Sequence, residues 1–376
     1  MAMHVRVSML VLSLVAIMTI PNIPSVRPLE DRYIGAFFYP SYDLHRGWNA
    51  SGRNPPLTWA SHYLPDFKSA GFDPPVQLYD SSNDETIDWQ LSLMEKATLD
   101  FVITSWWGPT SHENDVFGKI LRISAQKASE RLRSPRWCIV YEKETKGDPS
   151  VNEIVRDLKY VEETFGRSSA YFRLDGRLVV FVTADPDDSI AYAERWQEVR
   201  RILGNFYTVL KVFPGFIHLK ACADSWFQYA PANGFELHEG FSAYVSPGFW
   251  KYDDAPIRER DSSAFARDLM RLRFATATFL LIETWNNWQE GNQIEPAYQV
   301  VDRGGRFVQA SLSYGTTYID LVRRILREEE RLVASSDLKA LVGMASSSLA
   351  AVLVAISAAQ ILRKEKKTSI ASPRAA

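Results

Sequence analysis

Positions 281–296 read Leu-Ile-Glu-Thr-Trp-Asn-Asn-Trp-Gln-Glu-Gly-Asn-Gln-Ile-Glu-Pro. Three carboxylates, Glu283, Glu290 and Glu295, fall within thirteen residues, among the amides Asn286, Asn287 and Gln293 and the indoles Trp285 and Trp288. The stretch opens as a buried strand and then turns polar. A core has little use for such a sequence, because a carboxyl without partners is costly to bury. Glycoside hydrolysis does need it: one carboxyl protonates the leaving oxygen while another acts as base or nucleophile. Glu290 with either Glu283 or Glu295 makes such a pair if the loop folds back.

A second set of useful side chains recurs where other apolar runs end: Tyr39, Tyr79-Asp80, Trp106-Trp107, Tyr141-Glu142 and Ser246. Apolar faces of sugars stack on aromatic rings, and their hydroxyls need carboxylate or amide partners. The pattern assigns Tyr39, Trp106, Trp107 and Trp288 to stacking. Asp80, Glu142, Asn286, Gln293 and Glu295 are assigned to hydroxyls. The plainer alternative is that these rings cap a core. His45, His62 and His112 lack metal-ligand spacing, so neither metal nor cofactor is expected. No phosphate-binding loop and no Ser or Cys nucleophile arrangement stands out.

These groups need a scaffold, and the chain supplies alternating elements. Strands are expected at Tyr33–Tyr39, Pro75–Tyr79, Phe101–Trp106, Trp137–Tyr141, Leu178–Val182, Tyr207–Val212, Phe241–Val245 and Thr278–Trp285. Helices are expected at Asp84–Ala97, Asn114–Arg131, Ser150–Thr164, Ile190–Leu203, Ser262–Arg273 and Thr316–Leu332, with Asp84 and Ser150 as N-caps. Eight strands alternating with helices predict an α/β fold of the (β/α)8 TIM-barrel type over residues 30–335. A doubly wound sheet usually carries a glycine-rich loop after its first strand, and Phe37-Phe38-Tyr39-Pro40 is no such loop. Barrel sites gather at the C-terminal strand ends, where the residues above would fall.

The composition narrows the partners. With 43 Lys+Arg against 45 Asp+Glu, a formal net charge of −2, the chain does not suit nucleic acid. Two cysteines, Cys138 and Cys222, exclude a disulfide scaffold and leave a single pairing open. Aromatics reach 12%, an excess that sugar stacking would explain.

Taken together, these motifs resemble glycoside hydrolase family 99, the endo-α-1,2-mannosidase family, whose signature runs close to T-S-F-N-E-W-H-E-G-T-Q-I-E. Here it is matched by Thr284-Trp285-Asn286, Trp288, Glu290-Gly291 and Gln293-Ile294-Glu295. Phe38-Tyr39-Pro40, Ser105-Trp106-Trp107-Gly108-Pro109, Asp175-Gly176-Arg177-Leu178-Val179-Val180-Phe181 and Ser246-Pro247-Gly248-Phe249, with Ile257-Arg258, follow in the same order. The resemblance spans about residues 33–297. It implies a retaining endo-mannosidase barrel with Glu290 as acid/base.

The family's first signature glutamate takes a proton from the sugar 2-hydroxyl, and that position holds Asn287 here. An amide cannot take it. Three readings follow: Glu283 supplies the carboxylate, a water activated elsewhere makes the enzyme inverting, or the barrel binds glycans without cleaving them. Glu283 paired with Arg258 in the core is the structural alternative. A barrel kept only as scaffold is a further one.

Both ends of the chain are hydrophobic. Ser8–Ile20 is an uncharged run closed by Pro21 and Pro24, so residues 1–26 read as a signal peptide or N-terminal anchor. Ala340–Leu362 is uncharged for 23 residues and precedes Arg363-Lys364-Glu365-Lys366-Lys367, the pattern of a single transmembrane helix with a basic cytoplasmic tail at 363–376. Asn49-Ala50-Ser51 is then an N-glycosylation sequon on the exported side. The expected protein is a membrane-anchored, extracytoplasmic glycoside hydrolase whose partners are an oligosaccharide or glycoprotein glycan and the bilayer. The alternative is a lectin-like barrel.

Overall fold

Short runs of β-branched and aromatic residues form the strands, and longer amphipathic stretches between them form the helices. The computed structural model describes residues 32–43, 62–67, 78–130, 134–250, 255–302 and 307–328. Its central strands are β1 (Tyr33–Phe38), β2 (Phe101–Trp106), β3 (Arg136–Tyr141), β4 (Arg177–Val182), β5 (Phe206–Lys211), β6 (Ser225–Phe227), β7 (Ser242–Val245) and β8 (Phe279–Ile282). Parallel pairing runs unbroken from β6 through β5, β4, β3, β2 and β1 to β8 and β7. β6 and β7 lie side by side without a ladder, and an antiparallel strand, Phe235–His238, pairs with β7 instead. The eight parallel strands therefore make a nearly closed barrel of TIM type.

Two of the expected strands need correction. Residues 75–77 lie outside the described set, Leu78 and Tyr79 are irregular, and β1 pairs directly with β2, which leaves no place for a strand between them. The missing member is β6. Three residues are too few to show periodicity, and β6 is set by its register against β5, with Val209, Leu210 and Lys211 facing Ser225, Trp226 and Phe227. The last strand stops at Ile282, short of the expected Trp285, and the chain turns there into the polar loop.

The helices are α1 (Asp84–Lys96), α2 (His112–Ser129), α3 (Val151–Phe165), α4 (Ile190–Ile202), α5 (Ser262–Arg273) and α6 (Thr317–Arg323). Asn83, one residue before the expected cap, accepts from the Glu85 amide at the start of α1. Ser150 and Glu153 form a reciprocal capping box at α3. Ser150→Ala should cost about 1 kcal/mol, measured by urea unfolding.

Most aromatic rings lie inside. Gly35 on β1 faces the Phe101 ring so closely that an added Cβ would stand 2.4 Å from it. Phe101 stacks on Phe172 with centroids 4.6 Å apart, and Phe181 packs against Phe227 and Phe279 at 5.2 and 5.3 Å. The aromatic excess thus fills the barrel first, as the core alternative held. Cys138 and Cys222 are both free and buried, so they are not paired with each other. The segments expected to be a signal (1–26), a sequon (Asn49), a membrane span (340–362) and a basic tail (363–376) lie outside the described residues. No helix among the described residues is long and apolar enough to cross a membrane.

Candidate active site

Side chains alternate in and out along a strand, so the inward row of each barrel strand continues onto the residue just past its end. On β1 that row is Phe37 then Tyr39. On β3 it is Val140 then Glu142, and on β6 it is Phe227 then Tyr229. Lys211 closes β5. All these side chains line one cavity of about 290 Å³ at the C-terminal ends of the strands, together with Thr145, Thr183, Ala184 and Glu290. That volume is at the small end of ligand sites, which run to ~300–1,000 Å³.

Two carboxylates and one ammonium face this cavity. Glu142 is 7% exposed and accepts from Ser105 Oγ at 2.9 Å. Burial raises its pKa from 4.5 to about 7, against the opposing pull of Ser105 and Lys211. Glu290 accepts a 2.6 Å hydrogen bond from the Tyr229 hydroxyl. The same phenol oxygen accepts from Asn287 Nδ2 and Asn292 Nδ2, each at 3.2 Å. Burial, then the Glu290 charge, pushes the Tyr229 phenol far up.

The loop that carries Glu290 is fastened from behind. Thr284 Oγ1 donates to Asn292 Oδ1 at 3.0 Å and accepts from the Asn287 amide at 2.8 Å. Arg260 donates through Nη2 to the carbonyls of Gly291 and Gln293, both at 2.8 Å. Its guanidinium sits 4.8–5.1 Å from the ring centres of Tyr63, Tyr314 and Tyr318. Gly291 has φ +59°, which a residue with a side chain adopts only with strain.

Of the residues singled out in the sequence, the structure brings Tyr39, Glu142 and Glu290 to the cavity, with Asn287 one hydrogen bond behind through Tyr229. The others lie elsewhere. Glu295 is fully buried and accepts from Tyr79 Oη, Gln90 Nε2 and Trp285 Nε1 at 2.7–2.8 Å, so it holds the protein together. Asn286 is buried and bridges the backbone N–H and C=O of Tyr39. Trp106 and Trp288 have no accessible surface for a sugar to stack on, and their indole N–H groups donate to Asn114 Oδ1 and Tyr79 Oη. Trp107 is half-buried beneath the Lys146 ammonium, 4.0 Å from its ring centre. Asp80 caps a turn by accepting from the Ser82 N–H and hydroxyl. Gln293 is buried and donates to Tyr314 Oη at 3.4 Å.

Glu283 corrects two expectations. It is fully buried, it is not among the residues lining the cavity, and Arg258 pairs with Asp268 instead. Glu283 Oε2 accepts from the Ala230 amide at 3.1 Å, so it anchors the chain next to Tyr229. Burial holds its carboxyl well above the usual range. Lys211, Tyr229 and Thr183 were not singled out in the sequence. Strand parity would have found Lys211, inside the expected strand Tyr207–Val212, and Thr183, one residue past Leu178–Val182. Tyr229 follows β6, the strand without a legible pattern.

The chain matches no family model, and no curated relative matches it. Solved structures do. A family 99 (GH99) endo-alpha-mannosidase from Bacteroides thetaiotaomicron, in complex with BIS-TRIS-propane, aligns at TM-score 0.63 and 17% identity over 82% of this chain and 100% of that one. A second structure of the GH99 endo-alpha-mannosidase from that organism aligns at 0.59 and 18%, over 80% and 98%. A glycoside hydrolase-like protein aligns at 0.56 and 14%, over 80% and 96%. The barrel is that of these hydrolases. At such identities the likeness is one of fold.

Buried carboxyls also set a pH dependence of stability. Glu142 and Glu295 stay protonated in the fold up to about 7 and 8, against ordinary values of 4.5. Their stabilisation is complete below pH 4.5 and is lost as pH rises through the folded values. Each such carboxyl costs at most about 1.4 kcal/mol per pH unit in that window. The unfolding temperature should therefore be lower at pH 8.5 than at pH 5, measured by calorimetry.

Proposed function

We propose that the protein is a glycoside hydrolase cleaving α-mannosidic or related linkages in glycans, with Glu142 and Glu290 as its working carboxylates. One observation carries this reading: two carboxyls in different surroundings face one small aromatic-walled cavity at the C-terminal end of a TIM-type barrel. The different surroundings of the two carboxyls assign their roles. Glu142, raised to about 7 by burial, keeps a proton to give to the leaving oxygen. Glu290, at the receiving end of the Tyr229 hydrogen bond, is the base. Lys211 is placed to donate to sugar hydroxyls, Thr183, whose own hydroxyl donates to the Tyr141 carbonyl at 2.9 Å, can accept from them, and Tyr39 lines the same cavity. The substrate class follows the motif resemblance and the named fold relatives.

An acid with a pKa near 7 predicts a specific pH profile. Since Glu142 works protonated, kcat/KM should fall about tenfold per pH unit above pH 7. Glu142→Gln should lower the rate about 10²–10⁴-fold and remove that alkaline limb. A limb that stays in place in Glu142→Gln would assign the acid elsewhere. The reading itself is tested by incubating the full chain with α-1,2-mannosyl oligosaccharides and analysing the products by mass spectrometry.

A second reading is a lectin-like barrel that holds glycans without cleaving them. It draws on Asn287, an amide where the resemblance implies a carboxylate, and on Glu283, which is enclosed rather than in the cavity. Saturable oligosaccharide binding with no product would decide for it. The same proposal places the barrel outside the cytoplasm, with 1–26 as signal or anchor and 340–362 as a single span. Protease protection in membrane vesicles tests that topology.

A further inference from the structure

The hydrogen bonds around Tyr229 have a chemical direction. Its hydroxyl gives its proton towards Glu290 Oε2 at 2.6 Å, while its oxygen receives N–H groups from Asn287 and Asn292 at 3.2 Å. A base at the hydrogen and two donors at the oxygen are the partners that stabilise a phenol as it becomes a phenolate. The ring lines the cavity together with Glu142 and Lys211. The segment behind it is fixed on both sides of one residue: Ala230 N–H donates to Glu283 Oε2, and Tyr244 Oη donates to Ala230 C=O at 2.9 Å. Asn287, which as an amide cannot be the family's proton acceptor, has a use here as a donor to the phenol oxygen.

We propose that Tyr229 is the nucleophile of the reaction and that Glu290 is the base that activates it. The inference rests on the hydrolase reading and deepens it. In the first step the Tyr229 Oη–H proton passes to Glu290 and Oη forms a bond to the anomeric carbon. The glycosidic C–O bond breaks, and the leaving oxygen takes the Glu142 proton. In the second step Glu142, now a carboxylate, takes a proton from water, and the water oxygen bonds to the anomeric carbon. The aryl–glycosyl bond breaks and Tyr229 Oη recovers its proton from Glu290. Every group ends as it began, and two inversions give net retention. Because burial and the nearby Glu290 charge disfavour the free phenolate, proton loss accompanies attack rather than preceding it.

The experiment treats the full chain with 5-fluoro-α-mannosyl fluoride, whose electron-poor ring slows the second step, and maps the adduct by peptide mass spectrometry. In parallel, the anomer first released from an α-1,2-mannosyl oligosaccharide is read by NMR. The expected result is one fluoromannosyl group on Tyr229 and a retained anomer. Tyr229→Phe should bind the oligosaccharide within about tenfold of the wild type while turnover falls at least about 10³-fold. Turnover with the label on Glu142 or Glu290, with no label, or with inversion overturns the tyrosine nucleophile and leaves the hydrolase reading standing. No turnover by the wild-type chain overturns both. The labelling arm uses the native chain, so it decides the matter even if Tyr229→Phe fails to fold.

Discussion

Glu290→Gln should lower turnover of an α-1,2-mannosyl oligosaccharide by roughly 10³-fold while leaving KM within a few-fold. The substitution keeps the shape of the side chain and one accepting oxygen for the Tyr229 hydroxyl, which lies 2.6 Å away. It removes the capacity to take up a proton, since an amide is not a base at any working pH. A 10³-fold loss corresponds to about 4 kcal/mol of transition-state stabilisation. The fold should be little affected, because the loop's anchors, Arg260 to Gly291 and Gln293 and Thr284 to Asn292, do not involve the Glu290 carboxyl. The measurement is kcat and KM beside the thermal midpoint. Unchanged turnover in a variant of unchanged midpoint would remove Glu290 from the chemistry.

Glu295→Ala should act in the opposite way, costing about 4 kcal/mol of stability wherever the substrate binds. Three buried donors converge on this carboxyl: Tyr79 Oη at 2.8 Å, Gln90 Nε2 at 2.7 Å and Trp285 Nε1 at 2.8 Å. Each donor left without an acceptor in the core costs about 1–3 kcal/mol. Relaxation around the truncated side chain recovers part of the sum, hence the middle figure. Glu295→Gln keeps one accepting oxygen but turns an NH2 towards a donor, so it should fall between Ala and the native residue. Urea unfolding monitored by tryptophan fluorescence gives the value. A loss under 1 kcal/mol for Glu295→Ala would mean that the three donors find other acceptors. It would also return Glu295 to the list of candidate sugar-binding groups.

The contrast between these two glutamates shows what a motif carries. Glu290 and Glu295 sit five positions apart in one polar loop, and by type and neighbourhood they are equivalent candidates. One faces a cavity and the other is enclosed by α1 and Tyr79. The same holds for the aromatics. Trp106, which ends an apolar run, and Trp288, in the polar loop, both read as stacking platforms, yet both are fully buried. Tyr39 ends such a run as well and does line the cavity. Position at a strand end was legible; whether a side chain there stays open to the cavity or is covered by its neighbours was not.

The sequence by itself determined the alternation of strands and helices, the boundaries of Ser262–Arg273, and the concentration of polar groups after β8. These follow from periods of two and of 3.6 residues and from capping chemistry, which act over a few neighbours. Tertiary structure alone decided that β6 belongs to the barrel, that Tyr229 lines one cavity with Glu142, and that Glu283 braces Ala230 instead of joining Glu290. Those facts depend on closing a barrel from strands that are far apart in the chain. Burial and the meeting of carboxyls are properties of that closure, and no local pattern in the sequence carries them.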